Sequence, residues 1–205
     1  MLNLLHHPLA AHILTHLRDR TTKPATFRTL AYQISLLLAI DATRDLLTEE
    51  KSVETPLESA RGRVLAQQPI AVVPVLRAGL CMAQPFLDVF PDVSVGYIGL
   101  ERDPATALAR SYYSKLPRLE GRQVFVVDPM LATGGSAVQA LTLVKREGVA
   151  RVKLVCIVAS PEGVAAIGIN HPDVAIHAAV LDRALDARKF ILPGLGDFGD
   201  RLYGT

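Results

Sequence analysis

A hydrophobic segment in the middle of the chain ends on a carboxylate and is followed by a run of small residues. Residues 124–127 have the continuous apolar character of a buried strand, and Asp128 comes directly after them. The run Thr-Gly-Gly-Ser at 133–136 then leads into a helical pattern. Such a turn offers several backbone N–H groups to an anion, because glycines allow close approach and a helix N-terminus favours negative charge. The segment therefore predicts a phosphate site.

Asp128 indicates that the ligand carries more than a phosphate. A carboxylate repels a bare phosphate, so Asp128 should meet sugar hydroxyls or a metal ion, and a phosphorylated sugar satisfies both groups. The turn is neither a P-loop, whose lysine is missing, nor a dinucleotide-binding G-x-G-x-x-G turn. The structural alternative is that the glycines only reverse the chain and Asp128 only caps the helix.

Arg77 stands at a second junction of the same kind. It is the only charged residue in "VVPVLRAGL", where an apolar segment runs into a helical one. The rigid donor fork of an arginine suits a diphosphate, and an apolar setting favours that role over a surface ion pair.

The pattern along the chain predicts the elements that position these residues. Apolar residues recur at helical spacing within 9–17 and 27–38, on either side of the polar segment 19–26. After Pro69, predicted strands (70–75, 93–100, 124–127, 153–159 and 175–180) alternate with predicted helices (80–89, 136–147 and 161–169). Strands that are apolar throughout indicate a mainly parallel sheet with helices on both faces. In such an α/β sheet, ligands collect at the carboxyl ends of the strands.

One connection is unusually long. Residues 101–121 are mixed in charge, contain two prolines and have only a weak helical pattern. Loops of this length are usually functional or disordered, so a lid over an active site and a plain surface arm are both open.

Size and composition exclude several classes of protein. The 205 residues suffice for one domain over 1–205, and no linker separates the N-terminal helices, which we expect to form an added layer. A net charge of +2 does not indicate a nucleic-acid partner, and the apolar stretches are too short for a membrane span. Nothing resembles a signal peptide, and Cys81 and Cys156 are expected to be reduced core thiols of a cytoplasmic protein.

Several motifs together resemble a known family. "VVDPMLATGGS" is similar to the phosphoribosyl-diphosphate (PRPP) signature of type I phosphoribosyltransferases, in the form of their uracil branch. "HPL", "VVPVLRAGL", "ASPEG", "HPDV" and "ILPGLGDFGDRLYGT" resemble further motifs of that branch in the same order, over nearly the whole chain. The resemblance implies the type I fold, with N-terminal helices and a C-terminal hood over the base.

The resemblance implies a role for individual residues. The implied PRPP-binding residues are Arg77, Arg102, Asp128, Pro129, Met130, Leu131, Ala132, Thr133, Gly134, Gly135, Ser136 and Asp197. Of these, Arg77, Arg102 and Asp128 would be catalytic, often with a cis peptide beside Arg77. Because Arg102 lies in the long connection 101–121, its implied role in PRPP binding favours a lid over a plain surface arm there. Pro129 stands where the wider family has a second acid, so sugar recognition would depend more on Asp128.

The glycine-rich C-terminal motif would bind the base. The resemblance assigns Ile191, Gly196, Asp197 and Phe198 to uracil, whose acceptor–donor–acceptor edge main-chain N–H and C=O groups complement. Phe198 stands where many relatives have a smaller residue. If it contributes its backbone, uracil recognition survives, whereas a ring inside the pocket would shift the base preference. Asp197 would also approach the metal indirectly.

The implied reaction is the transfer of 5-phosphoribosyl from PRPP to uracil, giving UMP and pyrophosphate with Mg²⁺ and inversion at the anomeric carbon. The implied assembly is a homo-oligomer, a dimer or tetramer, with GTP as a candidate effector. Two alternatives stay open, a nucleotide-sensing regulator that binds RNA and an enzyme of this fold that uses a purine. His12 and His16 have the i, i+4 spacing of zinc ligands but no third ligand nearby, so solvated histidines are favoured.

Overall fold

The structure is a computed structural model that describes residues 1–66, 69–102 and 109–205. Its helices are α1 (Pro8–Arg18), α2 (Pro24–Ala42), α3 (Leu80–Val89), α4 (Gly135–Arg146), α5 (Pro161–Asn170) and α6 (Phe198–Tyr203). Its strands are β1 (Leu2–Leu4), β2 (Thr48–Glu54), β3 (Ser59–Leu65), β4 (Ile70–Leu76), β5 (Ser94–Val95), β6 (Tyr97–Arg102), β7 (Ala109–Lys115), β8 (Gln123–Val127), β9 (Met130–Leu131), β10 (Arg151–Ala159), β11 (Ala175–Leu181), β12 (Ala184–Leu185) and β13 (Ile191–Leu192).

The central sheet has the order β1-β11-β10-β8-β4-β6-β7, and short β5 and β9 pair with β4 and β10. All of its pairs are parallel except β6 with β7. The predicted mainly parallel sheet is therefore confirmed. After β4, the chain places β6 on one side of that strand and then returns to place β8 on the other. This reversal between β4 and β8 is the topological switch point of the sheet, where such folds bind their ligands.

Two hydrophobic layers cover the two faces of the sheet, because successive side chains of a strand point to opposite sides. Val72 and Phe125 lie in one core with α1, α2 and α3. Val73 and Val126 lie in the other core with α4 and α5. Both N-terminal helices are confirmed, and their apolar residues are part of the first core. Helix α2 packs against β10 and β11, and α1 packs against α2.

The connection at 101–121 differs from its prediction. Its weak helical pattern is misleading, because 109–115 form strand β7, which pairs antiparallel with β6. The predicted continuous strand 93–100 is also divided, since Gly96 donates to Val72 O between β5 and β6. The tip of the proposed lid, 103–108, lies outside the described residues.

Strands β2 and β3 form a hairpin that the sequence did not reveal. Its side chains alternate without a consistent apolar face, and nearly all of them are exposed. Two-stranded hairpins have little stability of their own in water. None of the helices in the described ranges is both long and apolar enough to span a membrane.

Candidate functional site

The two junctions singled out in the sequence meet at the switch point. Strands β4 and β8 are neighbours, with Pro74 opposite Val127, so Arg77 and Asp128 follow the carboxyl ends of adjacent strands. The chain after Arg77 approaches β8 closely. A side chain at Gly79 would bring its Cβ within 2.5 Å of Val127 O, so only glycine allows this approach.

The small-residue turn after β9, called the cradle below, leads into helix α4 as the sequence predicts. Gly134 caps the N-terminus of α4 with a φ of 82°, and a Cβ there would lie 2.7 Å from Ala166 Cβ. The turn encloses a cavity of about 80 Å³, lined by Asp128, Met130, Leu131, Ala132, Thr133, Gly134, Gly135, Ser136 and Ala137. Within the described residues, the amides of Thr133, Gly134 and Ser136 donate to no protein atom. The turn therefore offers free donors at a helix N-terminus.

Two residues of the next helix hold this turn, and the sequence analysis did not assign them to the site. Ser160 caps α5, accepts from the Gly163 amide at 3.0 Å and donates its hydroxyl to Ala132 O at 2.6 Å. Because C=O and the following N–H point in opposite directions across a trans peptide, this bond turns the Thr133 amide the other way. Gly163 permits the contact, since a Cβ would come within 2.5 Å of Ala132 O. The "ASPEG" motif was the available signal.

Pro129 and Leu131 serve the scaffold more than the cavity. Pro129 O accepts from the amides of Ile157 and Val158, both at 3.0 Å. Leu131 is buried, and its carbonyl accepts from the Ser160 amide at 3.0 Å. The loop from Asp128 to Ser136 is thus brought together as predicted, but Pro129 does not line the cavity.

Asp128 lies half-buried at the edge of this cradle. Burial raises the pKa of its carboxyl to about 7, although the Met130 amide, 3.4 Å from Oδ1, acts in the opposite direction. Both cysteines are free thiols, as predicted. Burial, together with the charge of Asp128, raises the pKa of Cys81 to about 12 and also raises the pKa of Cys156. The thiols therefore stay protonated and are poor nucleophiles at neutral pH.

Arg77 is exposed beside the cradle and contacts the C-terminal helix. The Leu76–Arg77 peptide is cis, which confirms that feature of the resemblance, and Leu192–Pro193 is cis as well. Tyr203 donates its hydroxyl to Arg77 O at 3.1 Å, and the Arg77 guanidinium carbon lies 5.8 Å from the centre of the Tyr203 ring. Arg102 is the last residue of β6, and its side chain lies outside the described part of the structure.

A second cavity, of about 300 Å³, adjoins the cradle. Met130 and Ala132 line both cavities, so a ligand can extend from one to the other. The predicted base-binding residues Ile191, Gly196, Asp197 and Phe198 all line the larger cavity, which Ala78, Arg188, Lys189, Phe190 and Gly199 complete. The amides of Gly196, Asp197 and Phe198 donate to no atom of the described residues.

The ring of Phe198 belongs to the hydrophobic core. Phe198 is 2% exposed, and its ring meets Phe27 edge to face with the centroids 5.0 Å apart. Of the two alternatives left open by the sequence, the structure favours the one in which Phe198 contributes its backbone to the cavity.

The turn between β12 and β13 forms a hood over the larger cavity. The Asp186 carboxylate accepts from the amides of Arg188 and Phe190, both at 2.8 Å, and Lys189 adopts a left-handed φ of 69°. Glu162 Oε1 accepts from the Leu185 amide at 3.1 Å, which ties the hood to α5. The sequence analysis named none of Arg188, Lys189 and Phe190, because a turn of mixed composition gives no signal that it faces a ligand.

Metal ligation by the protein alone is limited in the described residues. No group of three or more His, Cys, Asp or Glu side chains gathers there, and the rings of His12 and His16 meet edge to face with their centroids 4.6 Å apart. Asp197 is exposed at the base cavity and uses Oδ1 to accept from the Asp200 amide at 2.9 Å. Its remaining oxygen suits the pattern of Mg²⁺, which takes one or two carboxylates together with substrate phosphates and water.

Comparison with known proteins agrees with this geometry. The sequence profile of the family described as uracil phosphoribosyltransferase matches residues 4–205. A uracil phosphoribosyltransferase of Dictyoglomus turgidum is 50% identical over 206 residues, which cover 100% of both chains. The solved structure of AQ2163 protein from Aquifex aeolicus is 38% identical and covers 100% of this chain and 99% of its own, with a TM-score of 0.93.

A more distant likeness concerns the fold alone. A hypoxanthine-guanine phosphoribosyltransferase from Bacillus anthracis shares 14% identity with a TM-score of 0.52, over 75% of this chain and 78% of its own. The predicted fold class, a parallel sheet flanked by helices as in the type I phosphoribosyltransferases, is confirmed.

Proposed function

Since the chain belongs to the uracil phosphoribosyltransferase family, we propose that it transfers the 5-phosphoribosyl group of PRPP to uracil and releases UMP and pyrophosphate. We propose that this takes place within a single domain over residues 1–205. The observation that carries the proposal is the pair of adjoining cavities that share Met130 and Ala132. One is small and surrounded by free amides, and the other is wider and flanked by backbone groups.

The cradle would bind the ribose 5-phosphate. Its amides and the dipole of α4 favour the doubly charged phosphate, and Ser160 keeps the Ala132 carbonyl from facing it. Asp128, next to the cradle, would accept hydrogen bonds from the ribose hydroxyls. Arg77 would contact the diphosphate, and Arg102 would approach it from the hairpin of β6 and β7.

The hood and the glycine-rich turn would bind uracil through the backbone. The free amides at 196–198 can donate to the uracil carbonyl oxygens. Cytosine replaces one of these oxygens with an amino group, which would face an N–H and leave both donors unpaired. Once the bound base shields these groups from water, unpaired donors would discriminate against cytosine by about 10⁴–10⁵. Because the Phe198 ring lies in the core, the cavity keeps its room for a flat pyrimidine.

Catalysis would consist mainly of positioning and charge stabilisation. The sugar is held at its phosphate by the cradle and at its hydroxyls by Asp128. A uracil ring nitrogen, aligned by the turn at 196–198, forms a bond to the anomeric carbon from the face opposite the diphosphate, with inversion. The carbon–oxygen bond to pyrophosphate breaks, and the ring nitrogen releases its proton to solvent. Positive charge develops on the ribose, and Arg77 stabilises the negative charge of the departing pyrophosphate. Asp197 would help indirectly to hold Mg²⁺ together with PRPP, and the ion would supply further charge neutralisation.

The assembly and its regulation form part of the proposal. We expect a homo-oligomer, a dimer or tetramer, because the exposed hairpin of β2 and β3 carries apolar side chains, including Leu57 at 95% exposure, that a second copy would cover. Sedimentation would test this. The free thiols agree with a cytoplasmic location, which fractionation of cells would examine. GTP remains a candidate effector, and adding it to the assay would reveal activation.

Turnover with labelled bases distinguishes the alternatives. Wild-type protein is incubated with PRPP, Mg²⁺ and either uracil, cytosine or hypoxanthine, and nucleotide formation is measured. We expect product with uracil alone. Product with hypoxanthine alone would reject the proposed specificity for a pyrimidine. PRPP binding without turnover of any base would favour the alternative of a nucleotide-sensing regulator. The variant Thr133→Val keeps the shape of the side chain but removes one hydroxyl of the cradle. It should raise KM for PRPP more than KM for uracil.

A further inference from the structure

Arg201, outside the residues assigned to either substrate, makes an unusual set of contacts. Its Nη1 donates to Leu195 O at 2.7 Å and also to Leu17 O, and its Nη2 donates to Asp19 O at 2.6 Å. Its guanidinium carbon lies 4.5 Å from the centre of the Phe27 ring. Among the described residues Arg201 forms no salt bridge, so backbone carbonyls and an aromatic face satisfy this cation.

These contacts join α1, α6 and the glycine-rich turn. Leu17 and Asp19 stand at the C-terminal end of α1, where free carbonyls and the helix dipole attract a positive charge. Leu195 belongs to the turn that precedes α6 and is 4% exposed. One planar side chain thus fixes the position of the turn relative to the rest of the fold.

The turn is the wall between two cavities. Gly196 and Asp197 line the base cavity on one side and, on the other, a cavity of about 440 Å³ that Arg18, Arg20 and Arg201 also line. The Leu195 carbonyl points to Arg201, on the arginine side of this wall. The Leu195–Gly196 peptide is trans, so its N–H points away from Arg201, and Gly196 itself lines the base cavity. In the described residues, no acceptor takes the Gly196 amide.

Arg18 holds the preceding peptide in the same manner. Its Nη1 donates to Gly194 O at 2.7 Å. Its guanidinium also forms a fork with buried Asp182, at 2.6 and 2.8 Å, and Asp182 accepts from the Gly194 amide at 2.8 Å. Two successive carbonyls of the turn are therefore occupied by arginines on the side away from the base cavity.

We propose that Arg201 is a positioning residue for base recognition, because it holds the Leu195 carbonyl away from the base cavity and so directs the Gly196 amide at a carbonyl oxygen of the pyrimidine. The inference rests on the proposed function, since it assumes a pyrimidine in that cavity. Arg201 itself touches neither substrate. Its replacement should weaken uracil binding and leave the phosphate cradle unchanged.

The experiment compares Arg201→Lys and Arg201→Met with Arg20→Lys and Arg20→Met. Lysine keeps the charge but lacks the planar guanidinium that reaches several carbonyls at once. Arg20 is the control, because it lines the same cavity and, among the described contacts, makes no hydrogen bond to the turn. We expect Arg201→Lys to raise KM for uracil about two- to tenfold, the loss of one hydrogen bond. KM for PRPP and kcat should stay within about twofold, and the Arg20 variants should match the wild type.

Thio-substituted bases identify the contact itself. Sulfur accepts hydrogen bonds poorly, so wild-type protein should bind either 2-thiouracil or 4-thiouracil less well than uracil. The ratio of the affinity for uracil to the affinity for the thio-base should be smaller in Arg201→Lys than in the wild type. We expect this only for the thio-base whose sulfur replaces the oxygen that accepts from the Gly196 amide, because that amide is no longer directed at the base. A purely structural role would not change that ratio. Melting temperatures show whether Arg201→Met folds. If Arg201→Met does not fold, the kinetics of Arg201→Lys alone test the positioning role.

The outcomes separate the two proposals. A wild-type protein that turns over no uracil refutes the proposed function. Wild-type turnover of uracil, with Arg201→Lys equal to wild type in KM for uracil and in its thio-base ratios, overturns the positioning role. An equal rise in KM for uracil and in KM for PRPP in Arg201→Lys, with unchanged thio-base ratios, also overturns the positioning role.

Discussion

Replacing Asp128 by asparagine should make the ligand-free protein more stable and less active. Burial raises the pKa of this carboxyl from 3.8 to about 7, so at higher pH the folded protein must hold a charge away from water. Asparagine keeps an acceptor for the Met130 amide and carries no charge. It would lose the carboxylate that we propose for the ribose hydroxyls.

The size of the effect follows from the two pKa values. Between pH 3.8 and about 7 the unfolded chain has released this proton while the folded protein retains it. The unfolded state therefore binds fewer protons, and the free energy of unfolding falls as the pH rises. The contribution of the Asp128 carboxyl to the free energy of unfolding is complete below pH 3.8. It is lost as the pH rises through about 7, at up to about 1.4 kcal/mol per pH unit. Since the side chain is only half-buried, we expect the wild type to lose about 1–2 kcal/mol relative to Asp128→Asn from pH 5.5 to 7.

Urea unfolding without ligands measures this difference. The wild type, Asp128→Asn and the exposed control Asp92→Asn are followed by circular dichroism at half-unit steps of pH. Other carboxylates titrate alike in all three proteins, so the differences isolate the substituted group. Parallel curves for wild type and Asp128→Asn, or a gap that widens towards acid, would refute the reasoning. The turnover assay should show that Asp128→Asn loses most of its activity even where it is the more stable protein.

Three further substitutions test other contacts of the site. Tyr203→Phe removes the hydrogen bond to Arg77 O but keeps the ring. Steady-state kinetics should show KM for PRPP raised about two- to tenfold, with KM for uracil unchanged. A KM for PRPP equal to that of the wild type would show that this hydrogen bond does not position Arg77 for PRPP. Gly134→Ala forces a side chain into a left-handed backbone and against Ala166, so urea unfolding should show a loss of about 1–3 kcal/mol and calorimetry a loss of PRPP binding; full affinity would contradict the cradle. Lys189→Gly relieves a left-handed φ and should raise the free energy of unfolding by about 0.5 kcal/mol, whereas Lys189→Ala should not.

Most of the αβ core was predictable, because its signals are local. A strand buried on both faces is apolar at every position, and the helix that follows it has a regular apolar period, so β8 and α4 were identified together with the turn between them. The hairpin of β2 and β3 and strand β7 were missed for the converse reason. The side chains of the hairpin are largely exposed, and so are those of residues 112–115 in β7, so burial imposes no pattern on them.

The candidate site divides in the same way. Asp128, Arg77 and the small-residue turn were found because a charge or a glycine at the end of an apolar strand is a local anomaly. Ser160 acts on Ala132 from 28 positions away, and the hood residues approach the cavity only through the packing of β12 and β13. No periodicity in the sequence records such contacts.

The sequence by itself determined which backbone could bind an anion and which residue types stood beside it, because glycines, hydroxyls and strand-end charges limit local conformation and chemistry. Only the tertiary structure decided that the Phe198 ring packs against Phe27 and that Arg201 reaches the carbonyls of Leu17 and Leu195. The physical reason is that a side chain's direction and the orientation of a peptide plane depend on long-range neighbours. Those neighbours are separated by up to 184 positions along the chain and meet only when it folds.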